Sequence, residues 1–349
     1  MINNINISKK DSLIVKNRKI IIGILVSLFF IFLFVKNIDF KKLYLALVHA
    51  NYLYLIPSII VLLISFYFRA WRWHTLLAGI KNIKTKDLMS PLIIGFMGNS
   101  VLPLRLGEFI RSYMLTRREK IPFSQGLATI IVERIFDSLG LIFMMVAVLL
   151  VFPVNLNLGA SDSINPNQIK SAGVILFIGS IFLLGVLVLI RLRVDIFNRI
   201  IRSILGKRFL HIAQKIQDIV SKFAEGLNVL GNWKRLLLSI FQTFLVWFTI
   251  AASIYFVMLA FNLGNLPIYS PIVIMVLTAL GVSVPSTPGY VGPYHAACLY
   301  AVTALGGETN LASGFTIVLH LSQMLPVIII GFYYLWKEDL SLKDLKNFK

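Results

Sequence analysis

An otherwise apolar chain carries Arg105, Glu108, Arg111, Glu133, Arg134 and Asp137 within residues 98–137. An ionisable side chain at membrane depth costs about 3 kcal/mol or more unless it is paired or meets water, so this group marks a candidate site. On a helix turning about 100° per residue, Glu133, Arg134 and Asp137 fall within an arc of about 100° and share one face. Arg134 alone neutralises one carboxylate, and Arg105 or Arg111 is the candidate for a second cation. Arginines in this setting can hold a lipid phosphate through charge-assisted hydrogen bonds. Glu108, Glu133 and Asp137 can balance those arginines in an empty site or accept a cationic headgroup, and Glu108 or Asp137 can act as a general base. The same charges equally suit an interhelical salt-bridge network that fixes one segment against another.

The elements that must position these groups are membrane helices. Of 349 residues, 58% are hydrophobic and 14% charged, with a mean hydropathy of +0.83, which describes an all-α polytopic membrane protein and not a soluble domain. In a soluble protein a formal net charge of +19 would suggest nucleic acid, but here Lys and Arg gather beside apolar runs. That is the distribution the positive-inside rule produces, and it argues against nucleic acid as a partner. The single Cys298 excludes an intrachain disulfide and a cysteine-rich metal centre. His295 and His320 are too far apart for metal-binding spacing, and no cofactor is expected.

In chain order, residues 20–35 form a first span, retained because no small-residue cleavage site follows it, and residues 36–51 lie outside. Residues 52–68 return and end in a basic, aromatic flank, where Arg69, Arg72 and Trp73 are expected as interfacial anchors. Residues 88–102 and 104–116 are each short for a span and meet at Pro103, with Gly95, Gly98, Asn99 and Gly107 allowing close packing and turning. This predicts a broken re-entrant hairpin, and freed backbone at such a break implies a protein-lined or watered cavity. Residues 125–151 cross fully, 152–170 form an outer loop and 171–190 cross back. Residues 191–235 carry Ile212, Ile216, Ile219, Phe223, Leu227 and Leu230 at helical spacing among basic residues, which predicts an amphipathic cytoplasmic segment. After the span 236–261, a second broken hairpin covers 271–285 and 290–305, and 311–336 is the last span.

The count is about six full spans plus two broken re-entrant hairpins, in a cell (plasma) membrane protein with both termini cytoplasmic. The order span, span, broken hairpin, span occurs twice, over about 19–151 and 171–336, with Pro103 and Gly107 at the same offset as Pro285 and Gly289. Three crossings per unit would invert one half relative to the other, the arrangement of secondary transporters. The second hairpin, broken at Pro285, Pro288 and Gly289, carries no carboxylate or arginine. It offers Ser283, Ser286, Thr287, Tyr290, Tyr294 and His295, which can hydrogen-bond a phosphate or sugar without adding charge. His295 and His320 serve equally well as packing histidines.

The pattern R-x-x-R-W at 69–73, N-x-x-x-P-x-R-x-G-E at 99–108 with Arg111, E-R-x-x-D at 133–137 and P-x-x-P-G at 285–289 resembles the lysylphosphatidylglycerol synthase transmembrane, or flippase-like, family over roughly residues 19–336. The resemblance implies movement of an anionic or aminoacylated phospholipid, or of a lipid-linked intermediate, between leaflets. Arg105 with Arg111 or Arg134 would then sit on the lipid phosphate. Long members of that family append a soluble aminoacyl-transferase domain. This chain ends at Lys349 without room for one, so no synthase activity is expected. The alternatives are a membrane-embedded transferase acting on a polyprenyl-phosphate or lipid headgroup, and a non-catalytic partner that recruits a separate lipid-modifying enzyme through residues 191–235.

Overall fold

The computed structural model describes residues 24–36, 38–102, 106–152, 191–205, 210–284, 287–342 and 344–345, with isolated positions between 174 and 189. The described residues are helical and contain no strand, as the hydropathy predicts. The centres of both hairpin breaks, with Pro103, Arg105, Pro285 and Ser286, lie outside them, as do the predicted outer loop and most of the span 171–190. The helices are α1 (Ile24–Val35), α2 (Phe40–His49), α3 (Leu55–Leu77), α4 (Thr85–Val101), α5 (Gly107–Glu119) and α6 (Phe123–Val151). They continue with α7 (Val194–Leu205), α8 (Leu210–Gly226), α9 (Trp233–Ala260), α10 (Ser270–Ser283), α11 (Pro293–Ala304) and α12 (Thr309–Lys337). Among the described residues α3 (with the turn before it), α6, α9 and α12 are long and apolar enough to cross a membrane, while α1 and α10 are shorter apolar helices.

The connector 36–51 holds helix α2, started by Asp39, whose side chain accepts the backbone N–H groups of Lys41 and Lys42. The chain there is tied to later elements, since Asn51 N–H donates to the Ala260 carbonyl at 2.9 Å and Asp39 N–H to Asn310 Oδ1 at 3.2 Å. Helices α3 and α9 pack closely because hydroxyl-bearing residues face each other. Ser58 Oγ donates to the Ser253 carbonyl at 2.9 Å, and Gln242 Nε2 to Thr75 Oγ1 at 3.0 Å.

The first hairpin is closed by glycine and asparagine. A Cβ on Gly107 would collide with the Gly95 carbonyl and the Asn99 side chain, so only glycine lets α4 and α5 cross there. Asn99 Oδ1 accepts the Gly107 N–H at 2.7 Å, satisfying a free donor in the first turn of α5. The second hairpin is braced by α1, where Ser27 Oγ accepts the Thr287 N–H at 3.0 Å and lies 2.9 Å from Thr287 Oγ1. Beside the break Gly289 takes φ +74° and Gly292 φ +99°, where a Cβ on Gly292 would lie 2.6 Å from the Ser27 carbonyl.

The described residues of 191–235 form α7, α8, a short 3-10 turn at Asn228–Gly231 and the start of α9, where one amphipathic segment was predicted. Its apolar stripe has two fates: Leu227 is buried, Phe223 and Leu230 are partly buried, and Ile212, Ile216 and Ile219 are exposed. The division follows from Gly226, which abuts the α6 backbone at Gln125 so closely that a Cβ would not fit.

Past α12 the chain clamps the first hairpin. Glu338 accepts from the Ser90 hydroxyl and, at 3.1 Å, from Arg118 Nη1, and Leu345 is fully buried in the cluster of Ile94, Met97, Ile110 and Met114. Glu338→Ala is expected to lower stability by on the order of 1 kcal/mol, the range for a partly exposed ion pair, read as a fall in Tm in detergent that shrinks at high salt. An unchanged Tm at low salt would show that the pair holds nothing.

Candidate functional site

Three helices converge on two carboxylates of α6. Glu133 has no exposed surface, and Arg111 of α5 grips it with both prongs, Nη1 to Oε1 at 3.0 Å and Nη2 to Oε2 at 2.8 Å. Arg134 Nη2 reaches Glu133 Oε1 at 2.5 Å, and Arg72 Nη2 of α3 lies 3.5 Å from that oxygen. Asp137 meets Arg72 Nη1 at 2.8 Å, Arg134 Nη2 at 3.2 Å and Arg69 Nη1 at 3.7 Å. Trp73 forms the floor: Arg111 lies 4.2 Å from the centroid of its ring, and Nε1 donates to Thr129 Oγ1 at 3.1 Å.

The expected interfacial placement of Arg69, Arg72 and Trp73 is corrected by this geometry. Arg72 and Trp73 are 0% exposed and Arg69 6%, all inside the protein. Helix α3 does not end at residue 68 but runs to Leu77, which carries the basic flank along the helix and against α6. The sequence did hold a signal for it. Arg69 and Arg72 are three residues apart and share one helix face, as Glu133 and Asp137, four apart, do on α6. The second cation required by the charge count is supplied by Arg111 and Arg72 together. Glu133 and Asp137 are thereby committed to arginines, which leaves Glu108 as the carboxylate beside the cavity without an ion pair within 4 Å among the described residues.

The network forms one wall of a cavity of about 410 Å³ between the two hairpins. Arg69, Glu108, Arg134 and Asp137 line that wall, and Glu108 Oε1 accepts from Asn99 Nδ2 at 3.3 Å. The opposite wall is aromatic and uncharged: Tyr290, Tyr294, His320 and Gln323 line it, with Tyr294 donating to Gln323 Oε1 at 3.3 Å and stacked on His320 at 4.5 Å. His295 sits behind, edge-on to His320 at 4.8 Å and to Phe34 at 5.3 Å, so it supports the wall and does not line it. Thr287 is held by Ser27, and Pro288 and Gly289 lie in a short turn that packs against α4. A Cβ on Gly289 would lie 3.6 Å from the Ser100 carbonyl of the first hairpin. His320, Gln323 and Trp247 escape a reading that stays within each hairpin, because only packing brings α9 and α12 to the cavity.

The charges do not cancel. Arg69, Arg72, Arg111 and Arg134 face Glu133, Asp137 and Glu108, an excess of one positive charge among the described residues. The side chain of Arg134 is 37% exposed, the most open of the four. In a low-dielectric site such an excess calls for an anion.

The family described as "Lysylphosphatidylglycerol synthase TM region" matches residues 20–331. A UPF0104 membrane protein of Methanocaldococcus jannaschii is 24% identical over 255 residues, 72% of this chain and 98% of its own length. The glycosyltransferase AglD of Haloferax volcanii is 24% identical over 337 residues, 89% of this chain, which spans only 53% of that protein. A UPF0104 membrane protein of Methanothermobacter thermautotrophicus is 23% identical over 297 residues, 82% of this chain and 86% of its own length. No solved structure matches.

Proposed function

The chain belongs to the lysylphosphatidylglycerol synthase transmembrane family, a multi-pass membrane protein with a membrane-lipid-related role, and on that premise we propose that it moves an anionic phospholipid or lipid-linked intermediate between leaflets. The observation that carries this reading is the positive excess of the arginine network that forms one cavity wall and lies behind it, with Arg134 its most exposed cation. The phosphate would enter between the hairpins and rest on Arg134, while the uncharged wall of Tyr294, His320 and Gln323 accommodates the rest of the headgroup. Residues 19–151 and 171–336 would act as inverted halves rocking about this site, in the plasma membrane with both termini cytoplasmic. Residues 191–235 would offer the docking face for a lipid-modifying enzyme, if one copurifies.

The test is purified full-length protein in liposomes with headgroup-labelled anionic, zwitterionic and lysylated phospholipids, following loss of fluorescence to an external quencher. Wild type is expected to expose the inner-leaflet pool of the anionic lipid, and Arg134→Gln to slow this about tenfold or more. Folded wild-type protein that moves none of the lipids sinks the proposal.

A second reading is favoured by the alignment of 89% of this chain with a protein named a glycosyltransferase. In it Glu108 would be the general base, because Glu133 and Asp137 are each held by arginines. A new lipid formed from a sugar-nucleotide donor by wild type, and lost in Glu108→Gln, would establish it.

A further inference from the structure

The four arginines of the network are not equivalent. Arg111 is spent on Glu133 and on the face of Trp73, and Arg72 on Asp137 and on Thr243, to whose Oγ1 it donates at 2.8 Å. Arg134 touches both carboxylates. Arg69 differs from all three. Its side chain is only 7% exposed, its nearest carboxylate oxygen is 3.7 Å away, and it alone makes no hydrogen bond among the described residues; its Nε, like that of the other three, is buried without an acceptor. Its guanidinium carbon lies 5.1 Å from the centroid of Phe96 and 5.4 Å from that of Trp247, and all three side chains line the cavity. The rings hold the guanidinium in place and keep it dry, yet they offer no acceptor for its N–H groups. A buried cation with its donors unmet is costly, so its position makes sense when an acceptor arrives from the cavity.

We propose that Arg69 is a ligand-binding residue of the cavity and, with Arg134, forms a two-arginine clamp for a phosphate group. The planar fork of Arg69 can take two oxygens of a phosphomonoester or phosphodiester side by side, as a lysine could not. Arg134 stands beside it, 5.7 Å from the same Phe96 ring, and supplies the second fork. Asp137 Oδ2 now lies between them, 3.7 Å from Arg69 and 3.2 Å from Arg134, and serves as the resident counterion. When phosphate replaces it on Arg69, Asp137 keeps Arg72 at 2.8 Å, so exchange leaves no carboxylate stranded. The clamp rests on the translocation reading only for the source of the phosphate, a lipid headgroup, and the test separates the two.

The experiment is isothermal titration of the full-length protein in neutral detergent with dihexanoyl phosphatidylglycerol, and separately with inorganic phosphate. Arg69→Gln is expected to weaken the lipid about tenfold or more, while Arg118→Gln, on the tail clamp, leaves affinity unchanged. Because Arg69 holds Asp137 only loosely, the variant should elute and melt as wild type does. Should it fail to fold, Arg69→Lys carries the test, keeping the charge and losing the fork; affinity equal to wild type overturns the proposal. Folded Arg69→Gln that binds within twofold of wild type overturns it as well, as does wild type that binds neither probe. Binding of inorganic phosphate alone, lost in Arg69→Gln, supports the clamp with a free anion as its ligand. Arg69-dependent binding without lipid movement in liposomes overturns translocation and not the clamp; movement indifferent to Arg69→Gln overturns the clamp and not translocation.

Discussion

Glu133→Ala is expected to cost about 3–5 kcal/mol, enough to remove most of the folded protein, because the change strands buried arginines without their counterion. Glu133 is wholly buried and meets Arg111 at 2.8 Å, Arg134 at 2.5 Å and Arg72 at 3.5 Å, helping to join α3, α5 and α6. Arg111 would keep the cation–π contact with Trp73, but its forked partner would be gone. The measurement is the yield of monodisperse protein and its Tm in detergent. The double variant Glu133→Met with Arg111→Met should recover part of the loss, since neutral side chains of similar bulk need no partner. A Tm for Glu133→Ala close to that of wild type would mean that water already fills the network, and that its charges do not hold the fold.

Gly107→Val is expected to cost about 3 kcal/mol and to stop lipid movement in whatever protein remains folded. The added side chain would meet the Gly95 carbonyl and the Asn99 side chain, so the backbones of α4 and α5 must part. Arg111 is one turn further along α5, packed against Gly95, and its fork on Glu133 would be displaced with the helix. Loss of the Asn99 cap on the Gly107 N–H adds to the cost. Gly185→Ala is the control, because a Cβ there meets nothing within 4 Å among the described residues, and it should be neutral or slightly stabilising. The pair is compared by Tm and by liposome assay. If Gly107→Val retains wild-type Tm, the close crossing of α4 and α5 is not what positions Arg111.

What the sequence determined by itself was whatever is local along the chain. Apolar runs of membrane length predicted the long helices, short runs meeting at proline and glycine predicted the broken hairpins, and the 133–137 spacing placed Glu133, Arg134 and Asp137 on one face. A count of charge also required further cations, and Arg111 was one of the two candidates; the other, Arg105, lies outside the described residues. Tertiary structure alone decided the rest. Whether Arg69, Arg72 and Trp73 meet headgroups or the interior depends on where α3 ends and which helix covers it, and an apolar run that stops at residue 68 looks like a membrane boundary whichever is true. The uncharged wall is non-local in the same way, because Tyr290 and Tyr294 meet His320, Gln323 and Trp247 only through the packing of α9 and α12 around the second hairpin. Pairing across helices is set by side-chain fit between segments far apart in sequence, and no periodicity within one segment encodes that fit.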